Sequence, residues 1–239
     1  MILFMTTMLC IPAQEVIAQQ YKIKNRPYID QRRFHYGFSV GINMQDYELR
    51  NSNTQTSNGE LWYADVPDYA PGFSVGVLGE LYLNNHLSLR LLPTLHFGSR
   101  DIYYRNYNAG NGGNPTEERH IQQTRSTHIA LPLNLKFSAP RTNNYRPYLV
   151  TGLSPMYDLN IKKGDRLRFA PLDCHLELGF GCDYYFPFFK FIPELKFSYG
   201  LFNLIHSDRS DLQDQSLSKF RDAGTSAHSK MITLTLYFE

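Results

Sequence analysis

Eight stretches of this chain alternate apolar and polar residues with a period of two. That pattern selects strands over helices, because successive strand side chains point to opposite faces. FFKFIPELKFSYG (188–200) shows the constraint most sharply. A helix would scatter its charges around the axis and carry Pro193 in its interior, at ~3 kcal/mol. As a strand it sorts cleanly. Phe191, Pro193, Leu195, Phe197 and Tyr199 share one face, and Lys190, Ile192, Glu194, Lys196 and Ser198 share the other. The remaining predicted strands are 35–49, 71–83, 86–100, 125–138, 145–159, 172–186 and 229–239, with the seventh running 188–203. The fifth, 145–159, is the least regular and its phase stays open.

The connections constrain the topology further. Asn84-Asn85 reads as a tight hairpin, APRTNN links the fourth and fifth strands, and Pro187 alone separates the sixth and seventh. The intervening connections run to about 20, 24, 11 and 25 residues, so short and long alternate throughout, as in transmembrane barrels. An even strand number then puts both termini in the periplasm, on the short-turn side.

The two faces indicate what each side meets. One phase holds Phe38, Val40 and Ile42, then Val75 and Val77, Leu87, Leu89 and Leu91, Leu131, Leu133 and Leu135, and Ile232, Leu234, Leu236 and Phe238. The other holds Asn43, Glu80, Arg90, His96, Asn134, Lys136, Asp173, Glu177, Asp183, Glu194 and Lys196. A soluble barrel would bury the first set and expose the second. Gly41, Gly76, Gly179, Gly181 and Gly200 fall in the polar phase, and a narrow lumen explains small residues there better than open water does. The expected fold is therefore all-β: an eight-stranded antiparallel transmembrane barrel of the outer membrane. A barrel of that size has an interior just wide enough to be filled by side chains. Pro93, Pro132, Pro155 and Pro193 remove ladder donors, so bulges or strand ends are expected at them.

Composition agrees. Aromatics make up 14%, with 17 Tyr and 16 Phe, as the girdles of membrane barrels require. The net charge of +2 offers no basic excess for nucleic acid. Residues 1–18 read as a secretory signal, 19–34 as a periplasmic segment and 35–239 as the barrel. Cys174 and Cys182 lie on one strand, about 26 Å apart at ~3.3 Å per residue, too far to pair within the monomer.

Chemistry is sparse. Glu80, Arg90, Lys136, Glu177, Asp183, Glu194 and Lys196, with Lys190 nearby, are expected to form an ion-pair network that fills the lumen rather than a solute path. His96, His128 and His175 fall near the outer mouth, but no HExxH or paired-Cys spacing supports a metal. Ser126 and His128 share a face with Asp173 at similar height, yet no GxSxG elbow accompanies them. No catalytic, cofactor or metal site is assigned. NSNTQTSNGELWYADVPDY (51–69) and NYNAGNGGNPTEERH (106–120) read as loops, with Trp62 and Tyr63 as candidate anchors for a protein partner. Residues 206–228 could form a short helix around Leu212, Leu217 and Phe220.

NRPYIDQRRFHYGFSVGINMQDYEL (25–49) and ELGFGCDYYFPFFKFIPELKFSYGL (177–201) resemble the PorT family of Bacteroidetes outer-membrane proteins. The resemblance implies a non-enzymatic accessory barrel of type IX protein secretion, a family role that extends to gliding motility in related organisms. Its expected partners are outer-membrane lipid and other secretion proteins, without cofactor, nucleic acid or small-molecule substrate. The readings that compete with it are a surface or adhesion barrel and a lipid-modifying enzyme.

Overall fold

The computed structural model describes residues 24–51, 60–65, 71–108, 119–159, 170–204 and 224–239. The expected signal at 1–18 and the helix around 206–228 lie outside them, as does most of the 106–120 loop. After a single 3-10 turn, Ile29–Gln31, the described elements are strands: β1 (Phe34–Asn51), β2 (Glu60–Asp65), β3 (Pro71–Tyr82), β4 (Leu87–Leu91), β5 (Thr94–Asn108), β6 (Arg119–Ala130), β7 (Leu133–Ser138), β8 (Tyr145–Asp158), β9 (Leu172–Tyr185), β10 (Lys190–Gly200) and β11 (Gly224–Phe238).

All pairings are antiparallel, and the first strand meets the last. Phe38 pairs with Phe238 and Met44 with Ile232, which closes the sheet into a ring. Closure leaves no open edge to be satisfied in lipid. β4 and β5 occupy one place in the ring, and β7 and β6 the next, so the ring has eight strands.

The divisions within those two places fall at Leu92-Pro93 and Leu131-Pro132. Pro93 and Pro132 thus lie at strand ends, one of the two outcomes expected of them, and the ladder is interrupted without a bulge, because Gly79↔Leu91 and Gly76↔Thr94 keep the same register across the gap. Proline cannot donate, but its carbonyl still accepts: Val77 N–H bonds Pro93 O at 3.0 Å and Leu92 N–H bonds Pro132 O at 3.0 Å. Pro155 and Pro193 stay inside β8 and β10.

Several boundaries differ from the alternation. β5 and β6 continue as a hairpin up to Arg105↔Arg119, well past the predicted ends at 100 and 125. Residues 60–65, read as loop, form β2 and pair with Tyr103–Asn108 of β5, placing Trp62 opposite Asn106 and Tyr63 opposite Arg105. Both differences have one cause. Apolar alternation marks only strand length that one face must bury in lipid, whereas backbone pairing continues beyond it.

The sides of the ring are as the alternation requires. Phe38, Val77, Leu149 and Phe180 are more than half exposed on the outside, whereas Arg90 and Asn134 are fully buried inside. In β8, whose phase was open, Tyr148, Val150, Ser154 and Met156 face inward and Leu149 and Leu153 outward. Cys174 and Cys182 are unpaired thiols, half-buried on β9. Near the short turns, the outer wall carries Phe34, Tyr36, Phe38, Tyr145, Tyr184, Phe186 and Phe188, a girdle of aromatic rings at one edge of the apolar band.

The short turns use the residues their backbones need. Asn143 adopts a left-handed φ of 51°, which asparagine tolerates, between reciprocal Thr142–Tyr145 bonds of 3.1 Å. Asn84 Oδ1 accepts the His86 and Leu87 N–H groups at 2.9 and 2.8 Å.

Candidate functional site

The lumen is built from inward residues of every ring strand, and charge organises it. Arg90 on β4 sits at its centre. Its Nε donates to Glu80 Oε2 at 2.7 Å and its Nη1 to Glu194 Oε2 at 2.9 Å, and Asp183 Oδ1 lies 3.9 Å from Nη2. Tyr148 and Tyr237 hydroxyls donate to the two oxygens of Glu194 at 2.6 and 3.0 Å. Both tyrosine rings also lie under the guanidinium, 4.7 and 5.7 Å from its carbon.

Flanking pairs extend the network along the axis. Lys136 Nζ bonds Asp183 Oδ2 at 2.6 Å and lies 3.6 Å from Glu80. Lys196 pairs with Glu177 at 3.0 Å, which also accepts from Asn134 Nδ2 at 2.8 Å. Lys190 bridges Asp183 at 3.4 Å and Glu239 at 3.0 Å. Lys196 also lies 4.0 Å from Glu194, so all seven residues singled out in the lumen meet in one chain of contacts. Tyr148, Tyr237, Lys190 and Glu239 complete it. Alternation marks Tyr237 as inward, but the irregular phase of β8 conceals Tyr148, and Glu239 lies past the last alternating residue.

Glycine makes the packing possible. At Gly181, opposite Tyr148 on β8, an added Cβ would fall 2.4 Å from the Tyr148 hydroxyl and 2.7 Å from the Pro193 carbonyl. Gly181→Val is thus expected to push Tyr148 off Glu194. The barrel should lose about 1–3 kcal/mol in a urea-unfolding titration in lipid vesicles, the range for overpacked interiors. An unchanged midpoint would show that Tyr148 relaxes without loss.

At the short-turn end, residues 25–33 cross the opening. Tyr185 OH donates to Asp30 Oδ1 at 2.6 Å, with Arg141 and Arg146 3.7 and 3.8 Å from that carboxylate. Asn25 N–H bonds Asn144 Oδ1 at 2.8 Å, and Ile29 is buried beneath the turn. Glu239, just beyond β11, accepts from His35 Nδ1 at 2.6 Å and from Lys190. Burial alone would raise its carboxyl, but the His35 hydrogen bond and the Lys190 charge outweigh that and hold it at about 2.

A carboxylate depressed on folding contributes stability that is fully present above its unfolded value, near 4.3, and lost as pH falls toward 2. Acidification from pH 5 to pH 2 should therefore remove up to roughly 3 kcal/mol through this group. Glu239→Gln should flatten that part of the pH profile of unfolding. A profile equally steep in the variant would exclude Glu239 as its source.

Toward the long-loop end the histidines take separate partners. His96 Nδ1 meets Ser74 Oγ at 2.8 Å, and His128 Nε2 meets Ser126 Oγ at 2.5 Å. His175 Nε2 lies 3.0 Å from Asp173 Oδ2 and 2.7 Å from Ser229 Oγ. Asp173 thus serves His175 rather than His128. The acid on the His128 side is Asp158, at 3.8 Å from Nδ1. Among the described residues, no three His, Cys, Asp or Glu side chains are grouped so as to hold a metal ion.

A closed ring with an apolar exterior, an aromatic girdle and an ionic interior defines an outer-membrane β-barrel protein. The chain belongs to the outer membrane protein β-barrel domain family, whose model matches residues 17–206. Among solved structures it is similar to Neisserial surface protein A, at 13% identity over 86% of this chain and 98% of that one, with a TM-score of 0.41. It is also similar to the N-terminal β-barrel domain of Pseudomonas aeruginosa OprF, at 15% identity over 82% and 96%, TM-score 0.32. A third is the outer membrane protein AlkL in lipid bilayers, at 9% identity over 92% and 91%, TM-score 0.37. No curated protein sequence matches.

Proposed function

We propose that this barrel is a non-enzymatic accessory component of type IX protein secretion, acting through contacts with other secretion proteins. The observation that carries the non-transport half is the lumen. Arg90, Lys136, Lys190, Glu177, Asp183 and Glu194 are buried and joined across it, and a side-chain plug of this kind leaves the outside surfaces to do the work. The secretion half rests on the likeness of 25–49 and 177–201 to the PorT family. In this reading both termini are periplasmic, so the segment 25–33 faces the periplasm. Outer-membrane lipid surrounds the apolar wall, and no nucleic acid, cofactor or small-molecule substrate takes part.

At the Ser126–His128 pair, Asp173 orients a different imidazole and Asp158, the acid on the His128 side, lies 3.8 Å from Nδ1, beyond hydrogen-bond distance, which supports the non-enzymatic reading. Deleting the gene should abolish or sharply reduce secretion of type IX cargo, with complementation restoring it. Unchanged cargo in the medium would remove the secretion role. Loss of binding to a surface or host ligand instead would favour an adhesion barrel. Altered lipid A or phospholipid species, abolished by Ser126→Ala, would make the protein an enzyme.

A further inference from the structure

Charge is lopsided at the short-turn end. Among the described residues there, Lys24, Arg26, Arg32, Arg33, Arg141 and Arg146 are cationic, and the carboxylates of Asp30 and Glu239 are both engaged. Asp30 accepts from Tyr185 and lies 3.7 and 3.8 Å from Arg141 and Arg146, while Glu239 is held by His35 and Lys190. Arg26 Nη1 donates to the Glu239 carbonyl at 3.3 Å. Arg32 and Arg33 are exposed, and neither is paired with a carboxylate among the described residues. The outward cation toward the other end, Lys230, is instead neutralised by Glu48 at 2.7 Å.

The backbone sets where this free charge stands. Ile29 is buried beneath the 3-10 turn, and the Arg32 N–H donates to its carbonyl at 3.1 Å. Arg32 then leaves the turn in extended conformation, at φ −65° and ψ 137°. Arg33 O accepts the Tyr82 N–H at 3.0 Å, which continues the Phe34↔Leu81 register by one residue. Arg32 therefore shares the outward phase of the girdle residues Phe34, Tyr36 and Phe38. It lies about 6 Å beyond Phe34 along the strand. The headgroup region outside the hydrocarbon is about 5–8 Å thick on each side, so Arg32 stands at the depth of lipid phosphates. Arg33 has the other phase and is exposed at the mouth of the ring.

We propose that Arg32, with Arg33 beside it, binds the phosphate of an anionic lipid headgroup at this rim. Guanidinium forks of N–H donors match phosphate oxygens. A phosphatidylglycerol headgroup keeps the full phosphate charge, whereas phosphatidylcholine carries a cation that the arginines repel. The position favours a lipid over an acidic protein segment, because Phe34 and Tyr36 in the same phase face acyl chains. The site needs only the rim and the girdle, not the secretion role, and in the orientation proposed above its leaflet is the periplasmic one.

The test uses the full-length barrel with ¹⁵N-labelled arginine, refolded in dodecyl maltoside micelles, a detergent without phosphate. Dihexanoyl phosphatidylglycerol is titrated while the Arg32 and Arg33 Nε–H resonances, assigned through the backbone, are followed. Dihexanoyl phosphatidylcholine and inorganic phosphate are the comparisons. The expected result is a saturable shift with phosphatidylglycerol and much weaker responses to the other two. Arg32→Gln should weaken phosphatidylglycerol binding about fivefold or more, as read at Arg33. The three-ligand comparison needs no variant, so a misfolded Arg32→Gln leaves it decisive. No response to phosphatidylglycerol, or an equal response to phosphatidylcholine, would overturn the proposal. An equal response to inorganic phosphate would overturn it in favour of a free-anion site. Arginines that ignore lipid but cross-link an acidic periplasmic protein would overturn it in favour of a protein-docking surface.

Discussion

Arg90→Met should be the most damaging single substitution inside the barrel. The guanidinium is fully buried and is the common partner of Glu80 at 2.7 Å and Glu194 at 2.9 Å, with Asp183 at 3.9 Å. Methionine fills much of the volume but supplies no charge. Three carboxylates are then left in a lumen where Lys136, Lys190 and Lys196 are already shared among Asp183, Glu239 and Glu177. Breaking a buried pair by removing one partner costs about 3–5 kcal/mol, because the orphaned charge stays desolvated. The comparison that isolates this mechanism is Arg90→Met combined with Glu194→Gln. The double variant should recover part of the loss, since less charge is stranded. Urea unfolding in vesicles and heat-modifiable gel mobility measure both. A loss below 1 kcal/mol for Arg90→Met would mean that water already enters the lumen and solvates these groups.

The same network shows what a linear sequence conveys and what it withholds. Alternation in β10 separates Glu194 and Lys196 from Leu195 and Phe197, and the ring places them on opposite sides. Sign and face are therefore readable. Partner choice is not. Arg90 meets Glu80 across a neighbouring strand, but it meets Glu194 from the far side of the lumen, 104 residues away in sequence. That contact depends on the stagger of the strands, which a period of two does not encode. The two tyrosines on Glu194 illustrate the limit. Tyr237 lies between Leu236 and Phe238 in an unbroken alternation, whereas Tyr148 sits in YRPYLVTGL, where Pro147, Thr151 and Gly152 blur the phase. Beyond the bilayer the signal fades for a different reason. β2 and the upper parts of β5 and β6 pair through their backbones, and no lipid-facing side need be apolar there.

The exterior supplies the second large effect, and it tests the orientation of the whole barrel. Leu195 lies midway between Phe191 and Tyr199 on the outward face of β10, with Phe180 and Leu234 as its cross-strand neighbours. Leu195→Arg would put a guanidinium near the bilayer midplane, where charge on the lipid face costs about 2–4 kcal/mol. Next to it in sequence, Glu194→Leu puts an apolar group into the lumen and strands Arg90 Nη1 together with the Tyr148 and Tyr237 hydroxyls. Adjacent positions should therefore reject opposite chemistries: 195 rejects charge and 194 rejects its absence. Measured together by unfolding in vesicles, both variants should be destabilised, while Leu195→Ile and Glu194→Gln lose much less. A soluble core would invert the first result, because its outward side chains would accept arginine freely. Tolerance of Leu195→Arg in a folded barrel would move the apolar band off this face and remove the membrane reading of every strand that shares its phase.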